Sequence, residues 1–331
     1  MNTSTINKNA WNQLADKNIT VQFIDVTLRG CAQVMFQNNP LTGLLFFIAI
    51  FIGAFLESMP AVAFGCLLGT VVSTLTAYIS KLDTASLRSG LYGYNGCLVG
   101  VALPTFLENT PFVWLSIVLG SIVSVIATIS LMDFLKNWKV AALTAPFVLV
   151  SWTILLASYS FLGIKGVALP APALPQQFIE PIGSIPHSDI VADIFRGVSE
   201  VFLLSSVIVG IIFVIGLAVS SIWAAVFAIV GSLLAFIVAI LLKGDFVSIH
   251  TGLYSFSAVL TAIALGSTFN KPSYRVLAYA IVGVIFTVFV QGALDIILEP
   301  FGIPTLTMPF VLASWLFLVP NQDIMPEHRQ S

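Results

Sequence analysis

Apolar residues along this chain neither alternate nor form narrow helical stripes; they run in long, nearly unbroken blocks separated by short polar breaks. A hydrocarbon core takes about 20 residues of helix to cross. The blocks at 41–57, 60–79, 111–131, 140–162, 201–219, 221–242 and 275–297 therefore predict membrane-crossing helices. Three further segments, 89–105, 252–267 and 305–320, are shorter and carry internal Gly, Thr or Pro, which predicts tilted or interrupted helices whose freed backbone groups line a cavity. The pieces at 23–38 and 191–200 read as re-entrant or tilted. The fold class is all-α and polytopic, with about ten transmembrane helices plus two tilted re-entrant helices.

The pattern occurs twice. LRGCAQVMF at 28–36 returns as FRGVSEVFL at 195–203, SGLYGYNGCLVGVAL at 89–103 as TGLYSFSAVLTAIAL at 251–265, and LTAPFVLVSW at 143–152 as LTMPFVLASW at 306–315, at offsets of 167, 162 and 163. Three ordered echoes at one long offset are a tandem duplication, not a short solenoid unit. With five spans per half, an odd number, the second copy enters the membrane in the opposite sense, giving inverted-topology repeats about a pseudo-two-fold axis in the membrane plane. The expected organisation is a first repeat over 1–162, a Pro/Gly-rich extracytoplasmic linker over 163–190, a second repeat over 191–320 and a tail over 321–331.

Composition agrees and excludes other classes. The chain of 331 residues is 58% hydrophobic and 8% charged, against roughly 25% charged for a soluble domain. Net charge is −2 with no basic run, which leaves no nucleic-acid reading. Lys and Arg collect on the cytoplasmic side of membrane proteins. With both termini cytoplasmic, the inner segments hold Lys8, Lys17, Lys81, Arg88, Lys136, Lys139, Lys271, Arg275 and Arg329, and the outer ones Lys165, Arg196 and Lys243. Residues 1–22 are polar, so no cleavable signal peptide is expected. Cys31, Cys66 and Cys97 lack metal or redox spacing and read as small packing residues; neither metal nor cofactor is expected.

The chemistry of an enzyme is missing: no GxSxG, no HExxH, no cluster of His or carboxylates. His187, His250 and His328 fall in the linker, a loop and the C-terminus, where no proton relay would use them. Glu200 is the carboxylate that matters. In the repeat register it faces Gln33, and a carboxylate at membrane depth is costly; either it serves function or it pairs with Arg29 or Arg196. Thr144 and Thr307 each precede a proline by two positions, offering a hydroxyl beside loosened backbone, or else bonding back to their own helix. Tyr94 matches Phe256, Leu98 matches Leu260, and Phe36 matches Leu203; packing alone could account for them.

LRGCAQVMFQNNPLTG at 28–43, LYGYNGCLVGVAL at 91–103 and the twin LTxPF segments resemble the urea transporter family, over about residues 25–317. The resemblance implies ten membrane helices, two tilted re-entrant helices, a homotrimer with one pore per protomer in the inner membrane, and passive, channel-like transport. It implies a filter walled by Gln33, Val34 and Phe36 from QVMF, Glu200, Val201 and Leu203 from EVFL, Tyr94, Leu98, Phe256 and Leu260, and Thr144 and Thr307. Position 203 is Leu where such filters commonly carry a second aromatic, and position 94 is Tyr where Phe is common; Phe202 is a candidate to supply the missing face.

Those residue types suit urea, which is planar and neutral, with N–H donors on its edges. Stripping water from each polar group costs several kcal/mol unless an acceptor replaces it. Ions find no compensating charge and are refused. Short amides are possible co-permeants. The competing class is a gradient-coupled secondary transporter, which inverted repeats equally support.

Overall fold

The computed structural model describes residues 10–175 and 190–330; most of the expected linker, His187 with it, and the first nine positions lie outside the described residues. Regular structure among the described residues is helical: α1 (Ala10–Lys17), α2 (Ile19–Ala32), α3 (Pro40–Leu56), α4 (Pro60–Ile79), α5 (Thr84–Arg88), α6 (Tyr94–Phe106), α7 (Pro111–Leu135) and α8 (Ala145–Ala157), then α9 (Ile190–Ser199), α10 (Val207–Ser220), α11 (Ile222–Leu241), α12 (Phe246–Thr251), α13 (Phe256–Ile263), α14 (Tyr274–Leu298), α15 (Met308–Leu318) and α16 (Asn321–Ile324). Pro40, Pro60 and Pro111 stand in the first turn of their helices, where the missing N–H is no loss.

Four helices are by themselves long and apolar enough to cross a membrane: Pro60–Ile79, Pro111–Trp138, Ile222–Leu241 and Tyr274–Phe301. Two bent pairs meet the same test together, Ile19–Met35 with Pro40–Leu56 and Ile190–Phe202 with Val207–Ser220, each bent by 75°. At about 1.5 Å per residue, the 14 residues of α2 and 10 of α9 reach only part of the way across. Each ends in a tight 3-10 turn closed by a residue in the left-handed region, Phe36 (φ 64) and Leu203 (φ 55).

Several expected spans begin late. The helices read over 140–162, 252–267 and 305–320 start at Ala145, Phe256 and Met308, and the one read over 201–219 starts at Val207. In a chain this apolar, hydropathy marks what is buried but not whether it is coiled, so an irregular buried approach looks like the helix it leads into. Leu143 (φ 53) and Leu306 (φ 50) end two of those approaches in the left-handed region.

Glycines explain the repeated RG and GLY motifs. Gly90 (φ 79) lies against the backbone of Arg29 and Gly30, and Gly252 (φ 89) against Arg196 and Gly197. A side chain at either would face both a strained backbone and a filled space. The antiparallel α4 and α6 are closer still: a Cβ on Gly65 or Gly69 would run into the carbonyls of Gly100 and Gly96, the small-residue crossing that membrane helices use in place of a hydrophobic drive.

Polar contacts tie distant segments together at helix ends. Arg88 pairs with Asp16 (2.8 Å), Arg329 donates to the Lys139 carbonyl (3.0 Å) and the Lys271 amide to that of His328. Tyr159 donates to the Gly302 carbonyl (3.0 Å) and the Ala173 amide to that of Glu299 (3.2 Å).

Candidate functional site

Four bulky residues hold left-handed backbone at matched places: Phe36 and Leu203 closing the turns that follow α2 and α9, Leu143 and Leu306 just before Thr144 and Thr307. Each costs about 1–2 kcal/mol against the right-handed alternative. Strain of this kind persists only where packing enforces it, and it gathers at functional sites. All four flank candidate site residues.

The two threonines meet. Thr144 Oγ1 and Thr307 Oγ1 are 2.6 Å apart, both buried. Each stands at the N-terminal end of its helix, with Pro146 or Pro309 in the first turn. The prolines therefore start helices and do not kink them, and the hydroxyls are bonded to each other, not back to their own helix.

Reciprocal bonds from the same motifs hold that junction. Trp152 donates its indole N–H to the Pro304 carbonyl (2.9 Å), three positions before Thr307, and Trp315 donates to the Ala141 carbonyl (3.0 Å), three before Thr144. Tyr94 donates to the Leu143 carbonyl (2.7 Å), and Asn95 accepts from the Phe147 amide (3.2 Å) at the opened start of α8. Every strained approach is thus pinned by a side chain.

Beside this junction lies a cavity of about 390 Å³ that Glu200, Leu203 and Phe256 line together with Phe106, Tyr254, Gln291, Asp295, Thr305 and Leu306. Gln291 Nε2 donates to Asp295 Oδ1 (3.0 Å) and Thr305 Oγ1 (2.8 Å), making a polar edge along one wall. Gln291 and Thr305 escaped the sequence reading. The available signal was a Gln and an Asp four positions apart on an otherwise apolar helix, hence on one face.

Glu200 is 7% exposed, and the arginine pairing weighed for it is not found. Arg29 binds Asp25 (2.9 Å) and Asn38 (2.7 Å), and Arg196 binds Asp193 (2.6 Å), which also meets His250 Nδ1 at 2.8 Å. An arginine four or three positions from an aspartate on its own helix finds that partner first. Gln33 donates its amide N–H to the Ser89 carbonyl (2.8 Å).

Phe36 stands edge-on to Phe269 (6.0 Å) and Phe310 (5.9 Å). Phe202 does not provide the second face: it is fully buried against Phe46 (5.9 Å) and Phe213 (5.0 Å), pointing into the packing between α3 and α10. Val34, Leu98, Val201 and Leu260 are buried in the central apolar cluster, and none of the four lines the cavity.

Broken helices that end inside the bundle, around a buried junction and a polar-edged cavity, define a multi-pass membrane protein of the transporter class. The family model described as urea transporter matches residues 24–322, and the chain belongs to that family. Among curated relatives, urea transporter 1 of Ovis aries is 30% identical across 95% of this chain and 83% of its own length, that of Capra hircus 29%, and that of Rattus norvegicus 28%, over the same shares.

Proposed function

We propose that the protein is a passive, channel-like conduit for urea, running between two inverted halves, 1–162 and 191–320, in the inner membrane. The observation that carries this reading is the hydroxyl pair Thr144–Thr307, contributed by the same motif from each half, with the acceptor-edged cavity opening beside it. The reciprocal Trp152 and Trp315 bonds support the two-fold relation. The face that gathers Arg88, Lys139, Lys271 and Arg329 is assigned to the cytoplasm by its positive charge, with both termini there and the protomer repeated in a homotrimer.

Urea enters stripped of water, and each of its N–H groups needs an oxygen. Glu200, Thr305, the threonine pair and the Gln33 amide oxygen provide them in turn, weakly enough for release. Phe36, Tyr94, Leu203 and Phe256, backed by Val34, Leu98, Val201 and Leu260, hold the passage thin and apolar, so an ion would lose its hydration with nothing in return. The threonines are close enough to bond, so a solute reaching them must exchange its own hydrogen bonds for theirs. Such an exchange is nearly neutral in free energy, which suits rapid passage.

Stopped-flow light scattering of urea entry into proteoliposomes tests this. Permeability well above bare lipid, linear in the urea gradient and indifferent to an imposed proton or sodium gradient, is expected. Flux that follows either ion gradient would mean a coupled transporter; permeability equal to bare lipid would remove the urea reading itself.

A further inference from the structure

Cys31, Cys66 and Cys97 are 35 and 31 positions apart, and no spacing rule joins them. The fold does: their sulfurs lie within 4.8 Å of one another, Cys66 and Cys97 at 3.3 Å, all three free, fully buried and on different helices, α2, α4 and α6. The cause is the glycine crossing. GCLLG at 65–69 lies antiparallel against GCLVG at 96–100, and backbones this close leave space between them only for side chains as small as cysteine. Cys31 closes the third side from the re-entrant helix.

We propose that these three cysteines form a binding site for one soft monovalent metal ion of the cuprous type. A thiolate–metal bond of about 2.3 Å would put three sulfurs about 4 Å apart, compatible with sulfurs that all lie within 4.8 Å of one another here. The donor set is sulfur alone, which selects soft ions over magnesium, calcium or manganese. No fourth His, Cys, Asp or Glu joins the group among the described residues, so the tetrahedral closure of structural zinc is missing. Charge favours a monovalent ion as well. One S–H bond breaks, one metal–thiolate bond forms and the proton leaves to solvent, so the buried cluster stays neutral; the other two sulfurs stay protonated and give only weaker lone-pair contacts to the ion.

The ion would join the re-entrant helix to α4 and α6 from behind the passage wall, since Gln33 follows Cys31 by two positions and Leu98 follows Cys97 directly. This inference does not rest on urea being the solute. The test uses the full-length protein in detergent, reduced and free of oxygen, with cuprous ion supplied from a chromophoric chelator. One ion per protomer is expected, with X-ray absorption showing an all-sulfur shell and a raised melting temperature. Cys66→Ala should weaken binding at least tenfold and the triple change Cys31→Ser, Cys66→Ala, Cys97→Ala should abolish it. No uptake by reduced wild type, a nitrogen or oxygen shell, or equal uptake by a triple variant that keeps the wild-type elution profile would overturn the proposal. The spectrum of the wild type decides the matter even if the triple variant fails to fold.

Discussion

Thr144 and Thr307, 163 positions apart in the chain, share a hydrogen bond of 2.6 Å in the middle of the fold. Each begins a helix inside the bundle, and each follows a leucine whose backbone is held left-handed. The pair is therefore a junction that segments far apart in the chain must build together for either threonine to be satisfied.

Changing one threonine to valine leaves the other hydroxyl buried without its partner, at a cost of about 1–3 kcal/mol. Thr144→Val and Thr307→Val should each lower the melting temperature in detergent and reduce urea flux several-fold. The double variant should lose less stability than the two singles added together, as residues in direct contact do. Strict additivity in a double-mutant cycle would show that the hydroxyls do not share a bond in the membrane.

Glu200 lines the cavity with Gln291, Asp295 and Thr305. Glu200→Gln keeps an acceptor of the same shape and should preserve most of the flux, whereas Glu200→Leu should cut it about tenfold, the equivalent of one lost acceptor worth about 1.4 kcal/mol. Wild-type flux in the leucine variant would put the solute path elsewhere.

The indoles of Trp152 and Trp315 reach across to Pro304 and Ala141 in mirrored fashion. Trp152→Phe and Trp315→Phe remove one hydrogen bond each, so losses of up to about 1 kcal/mol are expected in both variants in thermal unfolding. A large loss at one position and none at the other would contradict the equivalence of the two junctions.

Asp83 and Asp245 cap the short helices α5 and α12, accepting from the Ser86 and Ser248 amides at 2.8 Å. Asp245→Ala should cost about 1 kcal/mol, the usual loss for such a cap. At Asp83 the Ser86 amide holds the carboxyl below its ordinary range. Its contribution is thus complete above the unfolded value of about 3.9 and is lost as pH falls through the lower folded one. Asp83→Asn keeps the cap and should remove that acid dependence; unfolding curves that respond equally to pH in both proteins would show that the cap carboxylate adds nothing.

Hydropathy, polar breaks and the recurring segments determined which stretches are buried, that the protein is helical and membrane-embedded, and that three motifs recur along the chain; the near agreement at 60–79 and 221–242 follows because a helix in hydrocarbon must satisfy its own backbone. Tertiary structure alone decided what those stretches do at their ends and whom they meet. Whether 140–144 coils depends on Trp315, Tyr94 and Asn95, which lie far away in the chain. The three converging sulfurs depend on how closely glycine lets α4 and α6 approach, and the cavity that Glu200 shares with the Gln291–Thr305 edge depends on segments far apart in the chain coming together. Local sequence encodes solvent preference residue by residue, but a site made of long-range contacts exists only once the helices have chosen their neighbours.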